Sequence, residues 1–359
     1  MKTLRNPLAI LAGATMLCAP GLAYAQDVQA DIGADITPMC GTEPVTVALT
    51  DGYGGNTWRL TSLAEFEDEA SKCANIEEVI YMDAAGDAQK YNGDIASLVA
   101  QGVDIIVTFT DFGEAAIPAY RQAMAAGVTV VPYFSVLNGE AGRDFSANVV
   151  IDQTASGKLW ADWLGTNMPD AKILFLGGLA GSASSEGFLD GLKAGLVSYP
   201  GVTFLQDGFL VTNWSATDGQ QAVAGAIAQY PEIDAIVTDY GVTAAAAVRA
   251  FQQAGLPVPA IATTASNNEL NCMYVNDKAA GNGWDYFSID GLNRLARYGL
   301  RRGLSIHQGT PNDEVLAIEF PAFADSFAGL EPACDPNAPP DADLSSALPP
   351  EKLQAIFDR

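Results

Sequence analysis

Two acidic residues occupy positions from which a pair of carboxylates could act together. Asp111 comes just after the largely apolar run 103–109, and Asp239 directly follows the largely apolar run 233–238. Facing carboxylates of this kind serve as the acid and the nucleophile or base of glycosidases. Each could equally cap the helix that begins after its strand. The chain offers no serine nucleophile elbow and a single histidine, His307, so we expect neither catalysis, nor a metal site, nor a cofactor.

The composition bounds the class of protein and its partners. Of the 359 residues 49% are hydrophobic, which is enough to bury a large core and excludes wholesale disorder. The length fits two domains or one large domain. There are 43 acidic side chains against 18 basic ones, a net charge of −25. Because nucleic acids and anionic membrane surfaces would repel such a chain, we expect neither as a partner.

The first 25 residues have the organisation of an export signal. Lys2 and Arg5 precede an apolar run at 8–17, and residues 23–25 give the small-x-small pattern that a signal peptidase requires. An apolar run of this length is too short to span a bilayer. We therefore predict cleavage after Ala25 and a periplasmic location. The alternatives are a retained anchor and a lipoprotein modified at Cys18.

Four cysteines remain after the predicted signal: Cys40, Cys73, Cys272 and Cys334. An even number in an oxidising compartment favours disulfides. Cys40 and Cys73 lie within one predicted βα unit and could meet at its base, so we pair them with each other, and Cys272 with Cys334. Buried free thiols are the alternative; a zinc site is disfavoured because no Cys-x-x-Cys spacing occurs.

From residue 44 onward, short apolar runs alternate with stretches of helical spacing. The predicted strands are 45–49, 79–82, 103–109, 128–134, 172–176, 202–210, 233–238 and 258–263. The predicted helices include 115–125, 184–197, 216–229 and 244–254. This alternation predicts an α/β fold with parallel sheets covered by helices on both faces. There are too many βα units for one ordinary sheet, so we expect two similar doubly wound lobes facing a cleft lined by strand ends.

The last part of the chain has a different composition. Residues 331–359 are rich in Pro and Asp and are predicted to wrap over the surface, ending in a short helix at 351–357.

Six stretches follow the order and spacing of one known family. They are 54–58 (GGNTW), 95–106 (IASLVAQGVDII), 123–131 (AMAAGVTVV), 149–157 (VVIDQTASG), 187–192 (GFLDGL) and 229–238 (QYPEIDAIVT). Over about residues 44–320 the chain resembles the periplasmic sugar-binding proteins of ABC importers, of the ribose and galactose type related to the lac repressor core. The repressors carry a DNA-binding helix pair where this chain has its predicted signal.

The resemblance implies a type 1 periplasmic binding fold, with two parallel-sheet lobes joined by a multi-strand hinge. The expected N-terminal lobe is 44–136 plus 286–313, and the expected C-terminal lobe is 137–285 plus 314–330. The resemblance also implies a monomer that captures a monosaccharide or related small polyhydroxylated ligand and delivers it to an ABC permease in the inner membrane. The alternatives are a periplasmic sensor of a sugar-like signal and a protein that binds a polyol or a nucleoside.

A set of ligand-binding residues is implied as well. Sugars stack their C–H faces on aromatic rings, while their hydroxyls need fixed donors and acceptors. The positions that match the family's binding loops are Asn56, Trp58, Arg59, Asp111, Phe112, Tyr133, Trp214, Asp239, Tyr240, Asn267, Trp284 and Asp285. Asn267 could instead cap a helix.

The chain departs from the family pattern at two places in the second lobe. Residues 184–186 (SSE) replace an arginine, and residues 263–267 (TTASN) replace a Gly-x-Asp motif. The expected site is therefore richer in aromatic rings and poorer in arginine than a ribose site. These departures leave open a less polar or partly modified sugar.

Overall fold

The computed structural model describes residues 33–319 and 321–358; the predicted signal at 1–25 lies outside them. The strands are β1 Val45–Asp51, β2 Ile76–Asp83, β3 Ile105–Phe109, β4 Thr129–Phe134, β5 Val149–Ile151, β6 Lys172–Gly177, β7 Thr203–Phe204, β8 Leu210–Val211, β9 Ala235–Thr238, β10 Ala260–Thr264, β11 Tyr286–Ile289, β12 Ala317–Ile318 and β13 Ala322–Asp325. The α-helices are α1 Thr57–Ala70, α2 Ala88–Gln101, α3 Ile117–Ala125, α4 Gln153–Asn167, α5 Ala183–Leu196, α6 Ala216–Gln229, α7 Gly241–Ala254, α8 Asn268–Ala279, α9 Leu295–Gln308 and α10 Pro350–Ala355.

The local signals that start, orient and end a helix are clear in α2. The Asp87 side chain accepts hydrogen bonds from the N–H groups of the first turn, and Gly102 ends the helix in the left-handed conformation. Between them, Tyr91, Ile95 and Leu98 recur at helical spacing and are all buried. The helix therefore packs one apolar face against the sheet.

The strands form two sheets, which confirms the predicted α/β fold with two doubly wound lobes. The first sheet has the order β12-β5-β4-β3-β1-β2, with every pair parallel. The second has the order β13-β11-β10-β9-β6-β7, in which only β13 is antiparallel to its neighbour, and β8 also pairs with β6. Parallel strands that are buried on both faces are expected to be continuously apolar.

Both faces of the first sheet are covered because its side chains alternate in direction. Val47 and Leu49 of β1 pack in the cluster that holds residues of α1 and α9. Ala48, which lies between them, packs with residues of α2 and α3 on the opposite face. The second sheet is sandwiched in the same way, with α4 and α5 on one face and α6, α7 and α8 on the other.

Strand pairing places the lobe boundaries later than those expected from the family resemblance. β5 pairs with β4 in the first sheet, so the chain first crosses to the second lobe after residue 151 rather than after 136. β11 belongs to the second sheet, so the return crossing follows residue 289 rather than 285. β12 belongs to the first sheet, which places the third crossing between β12 and β13. Lobe membership depends on long-range pairing, and local apolar periodicity does not encode it.

One predicted strand is divided in the structure. The run 202–210 forms two strands of two residues each, β7 and β8, because the chain turns between them at Gly208, whose φ is +76°. In the described part of the chain, no helix is long and apolar enough to cross a membrane.

Both predicted disulfides are present. Cys40 is bonded to Cys73, and Cys272 is bonded to Cys334. The first pair joins the segment before β1 to the segment between α1 and β2, at the amino-terminal edge of the first sheet. The second pair fastens the C-terminal segment to α8, and that segment ends in the short helix α10.

Candidate functional site

A cavity lies where the carboxyl-terminal ends of strands from both sheets meet. Its empty volume is about 410 Å³, including the part open to solvent. The lining residues come from strand ends and the segments that follow them: Asn56, Trp58, Arg59, Phe109, Phe134, Ser184, Phe188, Trp214, Asp239, Tyr240, Thr264, Ala265 and Gly291. This is the position expected of a ligand site in open parallel sheets.

Aromatic rings form one wall of the cavity. Trp58 packs edge-on against Phe109 and Phe134, with ring centroids 5.7 and 5.1 Å away. Phe109 and Phe134 stack on each other at 4.7 Å, and Phe134 also contacts Phe188 of the second lobe. The Trp58 indole N–H donates to the Gly291 carbonyl over 2.8 Å, which fixes the ring. The wall is therefore a rigid apolar surface that joins both lobes.

Arg59 packs against this wall, and two carboxylates neutralise its positive charge. Its guanidinium donates to Asp51 over 2.8 Å and to both oxygens of Asp111 over 2.9 and 3.1 Å. It also lies over the Phe109 ring, 3.3 Å from the centroid. Burial alone would lower the pKa of Arg59, but the charges of Asp111 and Asp51 outweigh it and raise that pKa. Burial raises the pKa of Asp111 to about 6, although Arg59 opposes the rise.

Asp239 presents a carboxylate to the cavity from the second lobe. Ser185 donates its hydroxyl to Oδ2 over 2.5 Å, and the Trp214 indole N–H donates to Oδ1 over 3.1 Å. Burial raises the pKa of Asp239 to about 7, and these hydrogen bonds limit the rise. The N-cap of α7 is Tyr240, so Asp239 does not cap that helix. Asp111, held by Arg59, does not serve as a helix cap either.

The Trp214 ring packs directly against the backbone of Gly178. A Cβ atom on Gly178 would lie 2.0 Å from the indole ring, so this close approach requires glycine. Across the cleft, Tyr53 of the first lobe contacts the Trp214 ring with a centroid separation of 5.7 Å. The Tyr53 hydroxyl donates to the Asn213 carbonyl over 3.3 Å. The two lobes therefore touch at the edge of the cavity.

Unusual backbone conformations concentrate at this site. In the described residues, six residues other than glycine have a positive φ: Ala85, Phe134, Asn213, Trp214, Ala265 and Leu292. Three of them line the cavity, Asn213 precedes Trp214, and Leu292 follows the lining residue Gly291. Such conformations cost energy and persist where the surrounding structure enforces them, often at functional sites.

Six of the twelve predicted binding residues line the cavity: Asn56, Trp58, Arg59, Trp214, Asp239 and Tyr240. A seventh, Asp111, does not line the cavity but is the ion-pair partner of Arg59. Asn56 also caps α1, because its side-chain oxygen accepts from the Arg59 N–H over 2.9 Å.

Three predicted residues at or near strand ends have other roles. Tyr133 is buried in the core and packs edge-on against Phe109, while its neighbour Phe134, with φ +75°, reaches the cavity. Phe112 packs against Tyr91 among the helices of the first lobe. Asn267 caps α8, the alternative considered for it.

The last two predicted residues lie at the opposite edge of the second sheet. Trp284 and Asp285 precede β11, and the cavity lies beyond the carboxyl-terminal end of that strand. The Trp284 indole donates to Asp277 over 3.0 Å and its ring packs between Tyr274 and Tyr286. A parallel strand presents its two ends to opposite edges, so a residue before the strand cannot reach the site.

Seven lining residues were not among the predicted set: Phe109, Phe134, Ser184, Phe188, Thr264, Ala265 and Gly291. Three of these had a visible signal. Ser184 stands in the segment that departs from the family's arginine, and Thr264 and Ala265 stand in the segment that replaces Gly-x-Asp. In the described residues, no group of three or more His, Cys, Asp or Glu side chains is placed to hold a metal ion.

Sequence comparison identifies relatives of the chain. Residues 47–284 match the family described as periplasmic binding protein domain. A xylitol-binding protein of Mycolicibacterium smegmatis is 26% identical over 210 residues. That match covers 56% of this chain, and the chain spans 58% of the length of that relative.

Solved structures share the fold. A 5-methylthioribose transporter solute-binding protein from Thermotoga lettingae, solved with 5-methylthioribose, is similar with a TM-score of 0.69 and 18% identity, over 88% of this chain and 99% of that one. The Caulobacter myo-inositol binding protein, bound to myo-inositol, is similar with a TM-score of 0.67 and 19% identity, over 79% and 95%. The profile match covers most of both lobes and agrees with the two-sheet fold and its cleft, so this chain belongs to the periplasmic binding protein domain family.

Proposed function

We propose that this protein is the periplasmic solute-binding component of an ABC importer and binds a neutral sugar or polyol that has one apolar face. The observation that carries the proposal is the cavity between the lobes, which combines a wall of aromatic rings with a few fixed polar groups. Rings take the C–H face of a sugar, and the polar groups take its hydroxyls. Asn56, Ser184, Asp239 and Thr264 supply those groups.

The charges of the site argue against an anionic ligand. Arg59 is the one cation among the lining residues, and Asp51 and Asp111 already neutralise it. Asp239 faces the cavity without a cationic partner among its hydrogen-bond donors. An anion would therefore meet a buried carboxylate with no free positive charge to compensate it. A hydroxyl group could instead donate to Asp239.

The relatives support this class of ligand. One similar protein is named for xylitol, and two were solved with 5-methylthioribose and with myo-inositol bound. All three compounds are polyhydroxylated and uncharged. Of these, 5-methylthioribose combines hydroxyls with an apolar group, and that combination matches the balance of rings and polar groups in this cavity.

The transport role rests on the family, the predicted signal and the two-lobed cleft. The protein would be exported with cleavage after Ala25, act as a monomer, close on its ligand by hinge motion and dock on an inner-membrane permease. The glycosidase alternative is disfavoured because Asp111 is ion-paired with Arg59 and is not among the lining residues. The two carboxyl groups lie near enough that, in addition to burial, the charge of Asp111 raises the pKa of Asp239, but only Asp239 borders the cavity.

A ligand screen tests the proposal. The protein without its predicted signal is heated with pentoses, hexoses, 5-modified pentoses, polyols and nucleosides, and hits are measured by calorimetry. We expect a neutral sugar or polyol to raise the melting temperature and to be recovered chemically unchanged. Sugar phosphates and sugar acids serve as anionic controls and should not bind. A tight anionic ligand, or turnover of a hit, would refute the proposal.

A further inference from the structure

The C-terminal segment, residues 331–358, is fastened to the second lobe at one end. The disulfide between Cys334 and Cys272 ties it to α8. At the start of that helix, the Asn268 N–H donates to the Ala342 carbonyl over 2.8 Å. The Asn268 side chain also accepts from the Asp335 N–H over 2.9 Å. The segment thus supplies partners that the first turn of α8 cannot find within the helix.

The other end of the segment is fastened to the first lobe. Leu348, Leu353 and Ile356 are buried in a cluster with Ala64 of α1. The Ser346 hydroxyl and the Ala347 N–H both donate to Glu65 Oε1, over 2.7 and 2.8 Å. Glu65 is itself buried and paired with Arg297 of α9. This end therefore joins the charged network that holds α1 and α9 together.

Between these two anchors the segment touches the hinge. Asp343 is 5% exposed and accepts from the Asn293 side chain over 3.1 Å. Ser345 donates to Asp343 over 2.6 Å and lies 3.0 Å from Asp290 Oδ1. A Cβ atom on Gly291 would lie 2.5 Å from Asp343 Oδ2. The segment thus presses against the residues that connect β11 to α9.

That contact leads directly into the cavity. The Gly291 carbonyl accepts the Trp58 indole N–H over 2.8 Å, and both residues line the cavity. Gly291 therefore lies between Asp343 on one side and Trp58 of the aromatic wall on the other. The family profile ends at residue 284, so the segment lies outside the region that the family match covers.

We propose that Asp343 of this segment, which we call the strap (residues 331–358), is a positioning residue that holds Gly291 and Trp58 in the ligand-binding geometry. Because the strap is anchored to both lobes, a hinge rotation that separates them must stretch it or release an anchor. The strap therefore favours the closed cleft and slows ligand release. This inference rests on the proposed solute-binding function.

The test uses the isosteric variant Asp343→Asn, which removes one acceptor while keeping the size of the side chain. The matched control is Glu351→Gln, because Glu351 is an exposed strap residue in the first turn of α10. The readouts are calorimetric affinity, the ligand dissociation rate and the indole N–H resonance of Trp58, assigned with Trp58→Phe. A second variant, Cys272→Ser/Cys334→Ser, removes the covalent part of the second-lobe anchor without changing any residue at the hinge.

We expect Asp343→Asn to shift the Trp58 indole resonance in the ligand-free protein and to weaken binding about tenfold, chiefly through faster dissociation. The double cysteine variant should also speed dissociation, while Glu351→Gln should match the unchanged protein. The inference would be overturned if both strap variants kept the Trp58 resonance and the ligand affinity of the unchanged protein. It would also be overturned if the variants changed in stability but kept their affinity. If no sugar or polyol binds the unchanged protein, the proposed function fails. The strap is then judged by the Trp58 resonance alone, which needs no ligand.

Discussion

Trp214 donates its indole N–H to Asp239 over 3.1 Å, and this bond ties the segment before α6 to the segment before α7. Ser185 holds the other carboxylate oxygen from α5. Three separate segments of the second lobe thus meet at one carboxylate. Bonds within the protein therefore hold the aromatic platform and the polar group beside it, which reduces the ordering cost of binding.

The first prediction concerns this bond. Trp214→Phe keeps an aromatic ring but removes the N–H that Asp239 accepts. We expect the affinity for the best ligand to fall about tenfold, because hydrogen bonds to charged groups contribute more than neutral ones. Calorimetry at pH 7.5 measures the change.

The chain contains a matched control for this substitution. The Trp163 indole N–H donates to Asp325 over 3.1 Å, and neither residue lines the cavity. Trp163→Phe removes the same type of bond and should lower stability with affinity intact. Equal losses of affinity in the two variants would show that the Trp214 effect is not local to the site.

The second prediction is a pH dependence of stability. The pKa of Asp239 is raised by burial from 3.8 to about 7. The folded state therefore binds more protons than the unfolded state between about pH 4 and pH 7, and stability falls as pH rises through this range. Asp239→Asn should make that decline shallower, by at most about 1.4 kcal/mol per pH unit.

Urea unfolding of the ligand-free protein from pH 5 to pH 8 measures this slope. Some decline should remain in the variant, because burial also raises the pKa of Asp343 to about 7. The control is Asp207→Asn, since the Asp207 side chain is fully exposed. A slope that is the same in the Asp239 variant and the unchanged protein would contradict the assignment.

The third prediction concerns the buried cation. Arg59→Met would leave Asp51 and Asp111 facing each other's charge without their partner. Removing one member of a buried charge network costs about 3–5 kcal/mol of stability. With Arg59 present, burial already raises the pKa of Asp111 to about 6, and removing the cation would raise that pKa further. We therefore expect part of the loss to be recovered at pH 5, where protonation of Asp111 relieves its repulsion with Asp51.

Denaturant unfolding at pH 7.5 measures the loss of stability, and the same measurement at pH 5 gives the part that is recovered. Arg143→Met is the comparison, since Arg143 is exposed and its buried partner Asp144 keeps a second ion pair, with Arg121. Its effect should be much smaller. An Arg59 variant that is no less stable than the Arg143 variant would rule out a structural role for the buried network.

The fourth prediction separates the two disulfides. Cys40 and Cys73 join segments at the edge of the first sheet opposite the cavity. Replacing both with alanine should lower stability by about 2–4 kcal/mol, because the crosslink restricts the unfolded chain. The affinity should stay within about twofold of the unchanged protein, in contrast to the pair that anchors the strap. Calorimetry at a temperature well below the melting transition checks this, and a large loss of affinity would contradict it.

Much of the fold was predictable because its signals are local. The helix at 216–229 was predicted with its observed bounds, since Ser215 caps it and apolar residues recur along it. The position of β5 was not predictable in the same way. Three apolar residues can extend either sheet, and only their pairing with β4 and β12 decides which one.

The site was predictable only in part, and for a related reason. Polar and aromatic residues after strand ends, such as Trp58 and Asp239, stand out in the sequence. Phe109 and Phe188 do not, because each lies in an apolar pattern that looks like ordinary core and borders the cavity only after the lobes meet. Trp284 was misplaced because it was matched to a binding position of the family without β11 having been located, and it precedes that strand.

The left-handed residues around the cavity have a consequence for how such a protein can evolve. Glycine would relieve the backbone at Phe134 and Trp214, yet it would delete the rings that form the walls. Selection for thermal stability alone would therefore favour substitutions that weaken ligand binding. Ala265 is the exception among the lining positions, because a change to glycine there removes one methyl group. At that residue, a substitution can raise the stability of the protein without lowering its affinity for the ligand.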